Sequence, residues 1–133
     1  MRPILAMLST VTLALGLFAA PSLAAGGSGL YAGKTGQQRT IHLTANARQV
    51  RMRNFSIKLH CRDGSVLIDQ ESGFEPSKVR RNKFVDTQYG STDKVTYKGG
   101  VRGTKVIGTL KVRDRVGKVF CVSPTVKFTT HRR

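Results

Sequence analysis

Alternation of apolar and polar side chains constrains this chain most, because a period of two selects a strand over a helix wherever it occurs. The longest alternating run is Gln49–Cys61. Its apolar residues up to Met52 fall in one phase, and those from Phe55 onward fall in the other. A β-bulge near Arg53–Asn54 would place both sets on the same side of the strand. The pattern therefore predicts one long, bulged strand that faces a core.

Shorter alternating segments accompany this strand, and turn residues separate them without any sustained helical period. An Asp-Gly pair at Asp63 and Gly64 predicts a turn after the long strand, and Gly103 favours a type II′ hairpin. The other predicted strands are Gln38–Thr44, Val66–Ile68, Lys83–Asp86, Lys94–Arg102, Lys105–Arg113, Lys118–Val122 and Val126–Thr130. The spacing is typical of an all-β domain, and we expect a small antiparallel β-sandwich of about seven or eight strands.

The first 24 residues have the composition of a cleaved signal peptide. Ile4–Ala20 carries no charge, and Ser22 and Ala24 are small residues three before and one before a cut. We expect cleavage after Ala24, with Ala25 as the second choice. The alternative is an uncleaved membrane anchor, but the run is short for a bilayer span of about 20 residues. Residues 25–30 then form a flexible leader, residues 31–133 form a single domain without a transmembrane segment, and the protein is secreted or periplasmic.

Two cysteines, Cys61 and Cys121, are present. Export places them in an oxidising compartment, where two lone thiols usually pair. The alternative is a catalytic cysteine helped by the adjacent His60, but neighbouring strand residues point to opposite faces. The sequence therefore predicts one disulfide between these two residues.

The order of several short motifs resembles that of small secreted bacterial β-sandwich proteins with one disulfide and no assigned function. The motifs are Tyr31–Thr35, Cys61–Gly64, Val101–Gly103, Gly108–Leu110, Cys121–Ser123 and Val126–Thr129. The resemblance covers nearly all of the chain after the predicted signal peptide. It implies the sandwich fold and the Cys61–Cys121 bridge, and it implies no catalytic residues.

Basic residues greatly outnumber acidic ones. The predicted signal peptide contributes only Arg2, so 22 Lys and Arg residues face 7 Asp and Glu residues in the rest of the chain. Such a balance attracts anionic partners, and the candidates are an anionic envelope polymer, a lipid head group or extracellular nucleic acid. The possible contacts are Arg51, Arg53, Lys78, Arg80, Arg81, Lys83, Lys111 and Arg113. The alternative is that outward strand positions must be polar and here happen to be basic.

No catalytic constellation is evident, and we predict no cofactor and no metal site. Gly33–Thr35 resembles the end of a phosphate-binding loop, but Ser28 stands where the pattern requires glycine. A nucleic-acid platform normally interleaves aromatic residues, and only Phe55, Phe84 and Tyr97 lie near basic ones. The sequence favours an exported, non-enzymatic binding or structural module. The alternatives are a secreted enzyme with an unrecognised site, or an inhibitor or toxin-like effector.

Overall fold

A computed structural model describes residues 29–133, so the predicted signal peptide and residues 25–28 of the predicted leader lie outside it. The described chain consists of strands and turns. The strands are β1 (Gly29–Thr35), β2 (Thr40–Ala45), β3 (Gln49–Cys61), β4 (Val66–Ser72), β5 (Ser77–Lys78), β6 (Lys83–Tyr89), β7 (Asp93–Arg102), β8 (Lys105–Val116), β9 (Val119–Val122) and β10 (Val126–Arg132). The all-β prediction is confirmed, and the sheet already begins within the segment predicted to be leader.

The long strand β3 has the predicted bounds and the predicted bulge. His42 of β2 pairs with Asn54, whereas the next residue, Leu43, pairs with Met52. Arg53 is therefore the extra residue, and the register shifts around it. Because of this shift, the apolar residues before and after the bulge are all buried on one side.

The strands form one continuous sheet, which corrects the expected sandwich of two separate sheets. Along the sheet the order is β10-β1-β2-β3-β9-β8-β7-β6, and β10 also pairs with β8. Six strands thus close into a barrel, and the whole sheet has ten strands instead of seven or eight. The remaining strands extend from this barrel: β7 and β6 continue beyond β8, while β4 and β5 pair with β3. A single hydrophobic core lies on the inner face.

The disulfide joins two of the strands that close the barrel. Cys61 at the end of β3 lies directly opposite Cys121 of β9, with a Cα–Cα distance of 3.9 Å, and the two are bonded. The predicted pairing is confirmed. The disulfide is compatible with a secreted or periplasmic protein. Within residues 29–133 no helix is long and apolar enough to cross a membrane.

Replacing both cysteines by alanine should lower the free energy of unfolding by about 4 kcal/mol, because the bridge closes a loop with a sequence separation of 60 residues. Urea denaturation of the wild type and of the double variant Cys61→Ala/Cys121→Ala measures this difference. Equal unfolding midpoints would contradict it.

Two facing glycines allow β7 and β8 to approach closely. Gly99 pairs with Gly108. A Cβ at Gly99 would collide with the Ile107 carbonyl oxygen and lie 2.8 Å from the Phe84 ring. A Cβ at Gly108 would lie 2.9 Å from the Phe128 ring. The two aromatic rings therefore fill the space that side chains at the glycines would take, and both rings are almost fully buried.

Alanine at Gly108 should therefore destabilise the fold by about 1–3 kcal/mol, the range of overpacked cores. Gly36→Ala is the matched control, because its nearest neighbour would lie 3.7 Å from the new Cβ. Urea unfolding should show a clear drop in midpoint for Gly108→Ala and a small change for Gly36→Ala. The same midpoint in both variants would refute the packing described here.

Candidate functional site

The outer face of β6, β7, β8 and β10 collects cationic side chains. In each of these four strands, residues that point into the core alternate with residues that point outward. The strand pairings place the outward residues of neighbouring strands side by side. Every charged side chain at these outer positions, from Lys83 through residue 113 and on β10, is Lys or Arg. We call this surface the basic face, and its cations are Lys83, Lys94, Lys98, Arg102, Lys105, Lys111, Arg113 and Lys127.

The acidic residues on these strands occupy the opposite phase. Asp86 lies between outward Val85 and Thr87, Asp93 begins β7 on the inner side, and Asp114 faces the same way as buried Val112. The four other acidic residues lie on β4 or in loops. The outer positions of the basic face therefore carry no carboxylate, although Asp86 shares a depression with Lys83, and Asp93 and Asp114 share another with Lys94 and Arg113. The cations outnumber these three carboxylates, and the remaining positive field attracts anions from solution.

An open groove of about 710 Å³ runs across one end of the basic face. Its floor contains Gly100, which places no side chain between Lys83 and Ile107 in the same cross-strand row. The Asn82 carbonyl oxygen lies 3.2 Å from the position that a Cβ would take there. Ile107 and Val85 provide aliphatic surface in the groove, and Val85 is 74% exposed. The cations around the groove are Arg81, Lys83, Lys98, Arg102 and Lys127, and its lining includes no Asp or Glu.

The turn before β6 brings Arg81 to this groove. Arg80 and Lys83 exchange backbone hydrogen bonds of 2.8 and 3.0 Å, and the two residues between them have positive φ values of 51° for Arg81 and 62° for Asn82. This is the geometry of a type I′ hairpin, in which glycine or asparagine is preferred. Asn82 suits its position, whereas an arginine in the left-handed region is uncommon and costs free energy.

The structure separates the predicted contact residues. Lys83, Lys111 and Arg113 lie on the basic face, and Arg81 lies at the groove. Lys78 and Arg80 line a neighbouring depression with Lys83. By contrast, Arg51 and Arg53 lie near the start of β3. On one side of the barrel β2, β1 and β10 separate this strand from β8, and on the other side β9 joins the two strands only at the far end of β3, at His60 and Cys61. The Arg51 Nε donates a 2.8 Å hydrogen bond to the carbonyl oxygen of Phe74.

Several cations of the basic face were not among the predicted contacts. These are Lys94, Lys98, Arg102, Lys105 and Lys127. Their alternation within predicted strands was visible in the sequence. The sequence did not show which strands lie side by side, and it is the pairing of these strands that brings the cations onto one surface.

A polar network near the start of β6 is built into the fold. The Ser77 hydroxyl donates to Asp86 at 2.6 Å and contacts the Tyr97 hydroxyl, and the Gln88 amide donates to Tyr97 at 2.7 Å. Burial raises the pKa of Tyr97 to about 12. Burial opposes ionisation of Asp86, but hydrogen bonds from Ser77 and Gln88 outweigh it and hold the pKa of Asp86 below its usual value. Ser77 and Tyr97 are both buried, so this network fastens the loop before β6. Ser77 and Asp86 also line the depression that contains Lys78, Arg80 and Lys83.

A second cluster joins carboxylates of β4 to the β7–β8 pair. Asp69, Glu71 and Asp114 each place an oxygen within 4.8 Å of the others, and Asp93 pairs with Asp114. The Asp69 Oδ2 is buried and makes no hydrogen bond with residues 29–133. Burial, together with Asp69 and Asp93, raises the pKa of Glu71 to about 9. Carboxylate oxygens are ligands that hard cations such as Ca²⁺ take, so among the described residues these could hold one.

The raised pKa of Glu71 predicts a falling stability with rising pH. Between about pH 4.5 and pH 9 the folded protein holds a proton that the unfolded chain has released, so unfolding becomes easier as pH rises through this range. Glu71→Gln should flatten this dependence and raise the thermal midpoint at pH 8. Thermal unfolding across this range, with a chelator present, tests the point.

The control for this series is Glu75→Gln, which removes an exposed loop carboxylate. It should keep the pH dependence of the wild type. Identical slopes for wild type and Glu71→Gln would show that Glu71 is ionised in the folded protein.

Comparison with known proteins gives no relative: no family model matches the chain, and neither a curated protein nor a solved structure matches it. The resemblance to small secreted bacterial β-sandwich proteins therefore stays a prediction.

Proposed function

We propose that this chain is an exported, non-enzymatic binding module that associates through the basic face with an anionic partner of the cell envelope or extracellular space. The observation that carries the proposal is the separation of charge across β6, β7, β8 and β10. Cations occupy the outer positions and carboxylates the inner ones. A surface of one sign concentrates counter-charged ligands and raises their association rate.

The chemistry of the groove supports binding rather than catalysis. An acid–base or nucleophilic mechanism needs a nucleophile or base within reach of an accessible pocket. The lining of the groove contains no carboxylate, histidine, serine or cysteine. Its polar side chains other than the cations are Asn82, Thr109 and Thr129. This set can orient and neutralise an anion but offers little for proton transfer near neutral pH.

The proposal is tested by removing equal charge from two places. Lys111→Gln/Arg113→Gln removes two alternating cations of the basic face, and Arg51→Gln/Arg53→Gln removes two alternating cations of β3. Binding to an anionic polymer is measured over a salt series by fluorescence anisotropy. We expect the β8 pair to weaken binding several-fold more than the β3 pair and to reduce the salt dependence.

Thermal midpoints accompany the binding data, because Arg51 also makes a hydrogen bond to the Phe74 loop. Exposed charges contribute about 1 kcal/mol or less, so both double variants should stay folded. Equal losses of affinity in the two folded variants would leave net charge as the whole explanation and would overturn the basic face as a dedicated surface.

A further inference from the structure

We infer that the groove is the binding site for one molecule of an anionic phospholipid, with its phosphate held by the cations of the rim and part of an acyl chain on the aliphatic floor. This inference rests on the proposed function and gives it a substrate class. It comes from the combination of an apolar floor and a cationic rim in one depression.

The rim provides cations on both sides of the groove. Lys98 of β7 and Lys127 of β10 lie in the same cross-strand row, with Thr109 of β8 between them. Two strand spacings put their Cα atoms on the order of 10 Å apart. Long side chains on either side can therefore converge on one phosphate, and the hydroxyl of Thr109 can donate to it from below.

The floor of the groove offers aliphatic surface that an acyl chain can cover. Gly100 has no side chain, and Ile107 lies next to it in the same cross-strand row. Val85 lies in the neighbouring row, opposite Lys98. Val85 is a large apolar side chain left 74% exposed. An acyl chain laid over these residues would remove apolar surface from water, which favours binding.

The same groove lacks what a nucleic acid requires. Bases bind to accessible aromatic rings, on which they stack. The two rings in the lining, Phe84 and Phe128, are 2% and 3% exposed, because they fold inward over Gly99 and Gly108. The groove therefore has cations for a phosphate but no platform for a base, which favours a lipid over a nucleic acid.

Arg81 adds an independent observation. Its φ of 51° disfavours a residue with a side chain, and glycine would fit the turn without strain. Backbone strain of this kind, held by the surrounding structure, clusters at functional sites. The turn accepts the strain and thereby places a guanidinium, which binds phosphate in a bidentate manner, at the mouth of the groove.

The first experiment measures co-sedimentation of the protein without its predicted signal peptide, residues 25–133, with vesicles of phosphatidylglycerol in phosphatidylcholine. Lys98→Gln/Lys127→Gln should reduce vesicle affinity at least tenfold. Lys58→Gln/Lys118→Gln, which removes two exposed lysines outside the basic face, should reduce it less than threefold. Lys111→Gln/Arg113→Gln, which lies on the basic face but outside the groove, should reduce vesicle affinity by a factor between these two values.

The second experiment separates the acyl chain from the charge. Val85→Gln changes the floor without changing charge, and Val66→Gln is its matched control at another exposed strand valine. Val85→Gln should weaken vesicle binding several-fold and leave binding to inorganic polyphosphate unchanged. Val66→Gln should change neither. Unaltered vesicle binding by Val85→Gln would overturn the lipid assignment.

The third experiment uses Arg81→Gly, which separates structure from binding. Because glycine relieves the left-handed strain, the thermal midpoint should not fall, whereas vesicle affinity should fall several-fold. A lower midpoint with unchanged affinity would make Arg81 a structural residue and remove it from the site.

The outcomes distinguish this inference from the proposed function. If Lys98→Gln/Lys127→Gln and Lys111→Gln/Arg113→Gln reduce vesicle affinity equally, the basic face binds anions but the groove is not a separate site, and the lipid inference fails. Tighter binding to single-stranded DNA than to vesicles would overturn the lipid and point to nucleic acid. If no pair on the basic face affects any anion more than Lys58→Gln/Lys118→Gln does, the proposed function fails as well.

Discussion

The closure of the sheet by β9 is the constraint on which the rest of the structure depends. This strand is four residues long, yet it pairs with the ends of both long strands, β3 and β8. The disulfide holds it to β3 at Cys61. Because β8 is thereby fixed in the barrel, β7 and β6 are fixed beside it. The basic face is the outer surface of this fixed set.

The two signs of charge are separated by the pleat of the same strands. Lys94 follows Asp93 and Arg113 precedes Asp114, so each pair sends one charge outward and one inward. The carboxylates then meet Glu71 at the inner side, where burial and the neighbouring carboxylates raise the pKa of Glu71. This inner cluster lowers stability at alkaline pH. The outer positions of β6, β7, β8 and β10 carry no acidic side chains. The positive field at these positions attracts anions that approach from solution.

The sequence predicted the features that depend only on residues close together in the chain. The bounds of β3, the extra residue Arg53 and the turn at Gly103 follow from phase and turn chemistry within a few residues. Gly103 has a φ of 61°, as the turn requires. The pairing of two cysteines followed from their number and the expected compartment. Partner strands far apart in sequence were not predictable in this way, because the apolar phase of a strand shows which face is buried but not which strand lies beside it.

The candidate site shows the same division. That Lys111 and Arg113 point outward was predictable from alternation. Their separation from Arg51 was not, because it depends on β9 joining β3 to β8 only at the end of β3 that is far from Arg51. β1 was missed because Gly29 and Gly33 weaken its strand pattern, and Gly33 is required there since a Cβ would lie 2.8 Å from the Thr130 Cα. The groove was missed because it is formed by an absent side chain at Gly100 and by the neighbourhood of β6, β7, β8 and β10.

The central claim is that anions bind on one defined surface, and amide chemical shifts report that surface directly. The ¹⁵N-labelled protein is titrated with a short-chain phosphatidylglycerol below its micelle concentration. The account predicts saturable shifts concentrated at the amides of Arg81, Val85, Lys98, Gly100 and Lys127, with little change on β3 at Arg51 and Arg53. Shifts spread evenly over all basic residues, or centred on β3, would contradict it.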